Sequence, residues 1–155
     1  MRKLVVFLMF AFVPFFAFAQ AEIMYSVHMA GLGWGGYASD GASAGTTGQK
    51  RQVESIKVKV DSKIAGSVRY DVHVEGIGWM GWQADDTPAG TTGQKKRVEA
   101  IRVRLTGDLE KQFDVFYRVH MSGLGWSGWS INGDDSGTTG QKRQIEAIEI
   151  KLEKK

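Results

Sequence analysis

Residues 70–105 read YDVHVEGIGWMGWQADDTPAGTTGQKKRVEAIRVRL. Two other stretches repeat this order of positions: residues 25–60 read YSVHMAGLGWGGYASDGASAGTTGQKRQVESIKVKV, and residues 117–152 read YRVHMSGLGWSGWSINGDDSGTTGQKRQIEAIEIKL. The first tryptophan of each copy recurs after 45 and then 47 residues, at Trp34, Trp79 and Trp126. A period of this size indicates a repeat architecture, and it decides the fold more strongly than local propensity does.

Each copy has the alternation of half-buried β-strands. In copy two, apolar and polar residues alternate over residues 68–75 and again over residues 101–105. The phase shifts between Val98 and Ile101, which predicts a bulge or bend near Ala100. We expect four short strands per copy: the Tyr-x-Val-His strand, a Trp strand, a strand around the Thr-Thr pair and the final aliphatic strand. No helical period is visible in residues 20–155, and short polar stretches join the copies.

Three copies are too few for an open solenoid with capping repeats, so we expect a closed, pseudo-threefold, all-β domain without exposed edges. The order of aromatic strand, Asp-Gly turn, Gly-Thr-Thr and aliphatic strand is similar to a β-trefoil unit, which we favour; a β-prism is the alternative. The prediction is a single domain over residues 20–155, with repeats of about 45 residues at roughly 22–66, 67–113 and 114–155.

The N-terminus has the features of a secretory signal peptide. Arg2 and Lys3 precede an apolar run from Leu4 to Phe18, and Ala17-Phe18-Ala19 is a small-x-small cleavage pattern. We therefore predict a signal peptide over residues 1–19 and a secreted location, extracellular, at the cell surface or periplasmic. The chain after it has 18 basic and 17 acidic residues, so we expect no nucleic-acid partner and, once the signal is cleaved, no membrane partner.

The repeats resemble the ChW repeats, the clostridial hydrophobic repeats with a central tryptophan. The resemblance lies in the Tyr-x-x-His start, the Gly-Trp-x-x-Trp/Tyr core, and Gly-Thr-Thr-Gly-Gln followed by Glu-(Ala/Ser)-Ile. It implies a secreted or cell-surface bacterial protein with a role in adhesion or in binding polysaccharide or protein. Copy one departs from the pattern, because Tyr37 stands where the other copies have Trp82 and Trp129, and Ser55 stands where they have alanine.

Two aromatic residues lie three positions apart in each copy, as in Trp34 and Tyr37. On a continuous strand this odd spacing places the two rings on opposite faces. We expect one ring to be buried and the second to be exposed as a flat platform for a sugar. The alternative is that both rings belong to the core.

Polar residues near the second ring complete the predicted binding site. An Asp or Asn follows the first tryptophan by six residues, and a glutamine ends each Gly-Thr-Thr-Gly-Gln loop, where glycines allow a ligand to approach the backbone. The alternative role of these residues is turn formation. The candidate ligand-binding residues are Tyr37, Asp40, Gln49, Trp82, Asp85, Gln94, Trp129, Asn132 and Gln141.

One histidine and one glutamate also recur in each copy, His28 with Glu54, His73 with Glu99 and His120 with Glu146. Three histidines could meet on the pseudo-threefold axis and bind a metal. We instead expect structural hydrogen bonds for the histidines, and for the glutamates salt bridges or bonds to loop amides. No cofactor or metal is therefore predicted.

The function predicted is that of a secreted, non-catalytic module, since no nucleophile elbow, metalloprotease motif or phosphate loop is present. We expect a monomer that binds carbohydrate or cell-surface polysaccharide at up to three equivalent sites. The alternative is a protein-interaction scaffold of an extracellular assembly, with a surface protein as its partner and no affinity for sugars.

Overall fold

The structure is a computed structural model that describes residues 20–155, so the predicted signal peptide at residues 1–19 lies outside the described residues. The described chain is all-β and contains three copies of one five-strand unit. The strands of the first repeat are β1 Ala21–Met29, β2 Gly33–Trp34, β3 Ala38–Ser39, β4 Ala44–Gly45 and β5 Val53–Ser62. Those of the second are β6 Val68–Val74, β7 Gly78–Trp79, β8 Gln83–Ala84, β9 Ala89–Gly90 and β10 Val98–Leu105. After the helix α1 Gly107–Gln112, the third repeat has β11 Phe113–Met121, β12 Gly125–Trp126, β13 Ser130–Ile131, β14 Ser136–Gly137 and β15 Ile145–Lys154.

The first and last strands of each repeat form a long antiparallel pair, because both have alternating apolar residues that need one buried face. In the first sheet Tyr25 lies opposite Val58, and the short strands β2 and β3 pair along the other edge of β1. The second and third sheets have the same plan. Within residues 20–155, no hydrogen-bonded ladder joins long strands of different repeats, so the molecule has three sheets and no closed barrel.

The fourth strand of each repeat crosses to the sheet of the preceding repeat. Strand β9 pairs with β5, and β14 pairs with β10. Strand β4 of the first repeat pairs with β15 of the third, where Ala44 lies opposite Ile148. The repeats are therefore linked in a closed ring, and each small strand covers the outer edge of a neighbouring long strand.

Glycine is required where these crossing strands meet the neighbouring repeat. Gly45, Gly90 and Gly137 have φ of 107°, 116° and 107°. A Cβ atom added to any of them would lie 2.3 to 2.4 Å from the carbonyl oxygen of the neighbouring repeat's glutamate, Glu146, Glu54 or Glu99. The first glycine of each Gly-Thr-Thr-Gly loop thus allows two backbones to approach across the boundary between repeats.

One hydrophobic core runs through all three repeats. Its largest members are Tyr25, Tyr70 and Tyr117, which are fully buried and donate their hydroxyl hydrogens to the carbonyl oxygens of Ala42, Thr87 and Asp134. Burial raises the pKa of Tyr70 and Tyr117 to about 12. A ring of this size buries a large apolar area while its hydroxyl finds a partner at the edge of the core.

The structure confirms the bulge and corrects three details of the predicted elements. The register of β10 shifts between Val98 and Ala100, so Glu99 is the bulged residue. The predicted Trp strand is two short strands, and the strand expected around the threonine pair ends before it, at Ala44–Gly45 in the first repeat. The connection predicted as polar coil contains α1, whose Leu109 is buried against the core.

Candidate functional site

The two aromatic rings of each repeat lie near one another on the outer face of their sheet. In the first repeat the Lys57 ammonium is 4.7 Å from the centroid of the Trp34 ring and 5.1 Å from that of Tyr37. Both rings are exposed, Trp34 by 36% and Tyr37 by 42%. The predicted burial of the first ring is therefore wrong in every repeat, while the second ring is exposed in the first and third repeats and partly exposed in the second. The strand breaks between β2 and β3, so the face alternation of a continuous strand does not apply across Gly35 and Gly36.

Cations from the long strands lie over these rings in every repeat. In the second repeat Arg102 is 4.2 Å from the Trp79 centroid and 4.9 Å from that of Trp82, and Arg104 is 4.2 Å from Trp82. We call each such set of two rings and two cations an aromatic–cation row. The three rows are Trp34, Tyr37, Lys57 and Lys59; Trp79, Trp82, Arg102 and Arg104; and Trp126, Trp129, Arg118 and Lys151. Cation–π attraction holds the exposed rings in place.

A histidine supports the first ring of each row from the side. His28 lies 5.5 Å from Trp34 between ring centroids, edge to face, and the equivalent His73 and His120 make the same contact. Its Nδ1 is 3.2 Å from Oε2 of Glu54, the bulged residue of β5, and this oxygen also accepts a hydrogen bond from the Gly93 amide of the next repeat. In all three repeats the histidine Nδ1 lies 3.2 to 3.5 Å from a carboxylate oxygen of the recurring glutamate. Across residues 20–155, no group of three or more His, Asp or Glu side chains is placed to hold a metal ion.

Beneath the row, the acid and the arginine of a cross-strand pair exchange strands between the second and third repeats. Asp71 on β6 is fully buried and accepts hydrogen bonds from Arg102 on β10 and from the Gly81 amide, both at 2.9 Å. At the equivalent cross-strand pair of the third repeat, Arg118 is on the first strand and Glu149 on the last, 2.6 Å apart. The arginine contacts both rings of its row from either strand.

The predicted Asp and Asn residues close turns. Asp40, Asp85 and Asn132 have left-handed φ of 43° to 46°. Their side-chain oxygens accept hydrogen bonds from backbone amides near the start of the long strands, those of Ile23, Val68 and Val115. These contacts are the turn chemistry considered above as the alternative role.

The predicted glutamines are surface residues of their loops. All three are exposed, and Gln49 lines a cleft of about 610 Å³ between the first and second repeats, together with His28, Lys50, Glu54 and Lys95. Asp40 instead follows Ser39, which pairs with Met24 at the other end of β1. The structure thus brings each ring together with cations of the long strands.

Two features of the rows were not predicted. The first is the contact between the rings and basic residues. Residues such as Lys57 and Lys59 occupy the polar positions of the last strand, and the alternation of that strand places them on the outer face beside the rings. The second feature joins repeats: the Tyr37 hydroxyl donates a 2.5 Å hydrogen bond to Asp86 of the second repeat. Desolvation, followed by the hydrogen bond to this carboxylate, raises the pKa of Tyr37 to about 12.

The observations define a class of protein: three β repeats closed into a ring, each with an outer face of aromatic rings and cations. The sequence model of the Clostridial hydrophobic W (ChW) family matches three times, at residues 28–62, 73–107 and 120–154. These matches cover more than half of the chain, so the chain belongs to the ChW family. Comparisons with curated proteins and with solved structures gave no match. Among the described residues, no helix is both long and apolar enough to span a membrane.

Proposed function

We propose that the protein is a secreted, non-catalytic module that binds carbohydrate, as part of a cell-surface or extracellular polysaccharide. The observation that carries the proposal is the aromatic–cation row on the outer face of each sheet, with rings such as Tyr37 and Trp129 exposed by 42% and 40%. A flat ring with a polar edge matches the apolar C–H face and hydroxyl rim of a sugar. The chemistry-bearing features are triplicated, which suits repeated weak sites better than a single catalytic centre.

The three faces support multivalent binding. A polysaccharide that reaches two or three rows gains avidity without any new contact, because the second contact is intramolecular. The cations and the pairs beneath them hold the rings in fixed positions, so little side-chain entropy is lost on binding. The Asp and Asn residues contribute in this proposal by shaping the turns beside the rings.

A glycan array with residues 20–155 tests the proposal, followed by affinity measurements on Trp82→Ala and Trp129→Ala. Each variant is expected to lose roughly tenfold in affinity for a polymeric glycan, because one platform of a multivalent surface is removed. Trp82→Tyr and Trp129→Tyr are the matched controls, since each keeps a ring with a polar edge, as Tyr37 does in the first row. Unchanged binding in both alanine variants, with native circular dichroism, would contradict the role of the rings.

Secretion and architecture belong to the same proposal. Export is checked by sequencing the N-terminus of the exported protein, which we expect at Gln20.

For the architecture we infer the β-prism, the alternative to the trefoil, because three sheets surround one core. A crystal structure with the long strands of all repeats in one closed sheet would favour the trefoil.

A protein-interaction scaffold is the second candidate. It is favoured by three exposed aliphatic residues at equivalent turns, Leu32, Ile77 and Leu124, which are 46% to 56% exposed. The triple variant Leu32→Ala/Ile77→Ala/Leu124→Ala separates the candidates. A glycan-binding module keeps its affinity in this variant, whereas a scaffold loses a surface-protein partner and shows no response to Trp82→Ala.

A further inference from the structure

The outer face of the second sheet has an unbalanced pair of arginines. Arg69 on β6 lies directly opposite Arg104 on β10 in the antiparallel register, and both side chains are exposed. Like charges at directly opposed positions destabilise a sheet. In the first sheet the equivalent pair is Met24 and Lys59, and in the third it is Phe116 and Lys151. Two cations face each other at this register position only in the second repeat.

Neither arginine of this pair belongs to a salt bridge among the described residues. Within residues 20–155, no carboxylate lies within 4.0 Å of either guanidinium. Asp85, which follows the partner of Arg69 on β8, accepts hydrogen bonds from Ser67 and Val68. Asp71 is bound to Arg102. The charge of Arg69 and Arg104 is thus available to an anion from solution.

An aromatic platform lies beside these arginines. The Arg104 guanidinium is 4.2 Å from the centroid of Trp82, whose ring is partly exposed. Arginine presents a planar fork of donors that matches a carboxylate or sulfate group and also stacks on aromatic faces. A ligand that carries an anionic group on a sugar ring satisfies both parts of this surface.

We propose that the outer face of the second sheet is a subsite for an acidic sugar, whose carboxylate or sulfate bridges Arg69 and Arg104 beside Trp82. This inference rests on the proposed carbohydrate binding and names the class of glycan. The third sheet is a poorer anion site, because Arg118 is paired with Glu149 and Lys151 with Glu153, at 2.6 and 2.8 Å.

The test compares homogalacturonan in its free-acid form with the same polymer after full methyl esterification, which removes the charge and keeps the sugar backbone. We expect residues 20–155 to bind the free acid at least roughly tenfold more tightly. The preference should shrink as NaCl is raised, since the Debye length falls to about 3 Å at 1 M salt. Dextran sulfate, against uncharged dextran, shows whether sulfate replaces carboxylate.

Arg69→Gln and Arg104→Gln are each expected to lose roughly tenfold in affinity for the free acid while their melting temperature is kept or raised, because a like-charge pair is removed. Arg104→Lys should recover part of the affinity. Lys111→Gln in α1 is the control for net charge, since its side chain is 77% exposed and belongs to no aromatic–cation row. Equal binding of acid and ester, with a response to Trp82→Ala, would overturn the subsite and leave the carbohydrate function standing. Failure to bind any glycan would overturn both, and equally tight binding of double-stranded DNA would overturn the sugar assignment.

Discussion

The first glycine of each Gly-Thr-Thr-Gly loop shows how one residue controls the meeting of two repeats. Gly90 lies where β9 pairs with β5, with its Cα next to the Glu54 carbonyl. Gly93, three residues later, also has positive φ, of 69°, but a Cβ there would meet no atom within 4 Å. Alanine at position 93 would therefore introduce backbone strain alone, whereas alanine at position 90 would add a steric clash.

Gly90→Ala is expected to destabilise the protein by about 2–5 kcal/mol, since roughly 1–2 kcal/mol of left-handed strain is joined by about 1–3 kcal/mol of overpacking. Gly93→Ala should cost only the strain, about 1–2 kcal/mol. Urea denaturation of both variants measures the difference. Equal losses in the two variants would show that the close approach across the boundary is unimportant.

The paired long strands are the element that positions the rows, and in the second and third sheets a buried acid holds the arginine over the rings. The second sheet has Asp71 opposite Arg102, while the third has Arg118 opposite Glu149. In both sheets the arginine lies over both rings. The fold therefore accommodates the charge pair in either orientation, and in the first sheet Ser26 lies opposite Lys57 at this position without an acidic partner.

Arg102→Asp alone should destabilise the protein by about 3–5 kcal/mol, because it places a second acid opposite the buried Asp71. The double change Asp71→Arg/Arg102→Asp should restore at least about half of this loss, since it reproduces the arrangement of the third sheet. A double-mutant cycle from urea denaturation measures the coupling.

Arg104→Asp is the matched control for that cycle, because it makes the same substitution on the same strand at an exposed position opposite Arg69. It should be nearly neutral for stability. A double variant no more stable than Arg102→Asp would mean that the two orientations are not interchangeable.

At the scale of the whole molecule, stability depends on ring closure. The first repeat is completed by the third, because β4 pairs with β15, and one core is shared by all three repeats. No repeat has a complete sheet from its own residues. The repeats are thus one cooperative unit, unlike the nearly independent units of an open solenoid.

A fragment of residues 20–113 is expected to show no cooperative thermal transition by far-ultraviolet circular dichroism. In this fragment β4 loses its partner β15 and β10 loses β14, so unpaired strand edges are exposed. The control is a circular permutant that opens the chain between residues 63 and 67 and joins residue 155 to residue 20 by a short linker. This permutant keeps every strand pairing. Its linker joins the end of β15 to the start of β1, as residues 63–67 join the end of β5 to the start of β6. A two-repeat fragment that melts cooperatively as a monomer would contradict ring closure.

Local patterns in the sequence were sufficient for much of this fold. The period of the tryptophans, the alternation around Tyr70 and the phase shift before Ile101 predicted three β repeats with a bulge near Ala100, because side-chain alternation and burial are properties of each strand. The same local signals predicted that a histidine and a glutamate of each repeat are structural.

Only the tertiary structure decided which residues share a surface. Whether Trp34 and Tyr37 face the same way depends on the irregular segment between β2 and β3. The opposition of Arg69 and Arg104 depends on the register of β6 and β10. Both are set by pairings between residues far apart in the chain, which spacing along one strand does not contain. The sequence alone determined the repeating β unit, and the pairing of the units determined the surfaces that the protein presents.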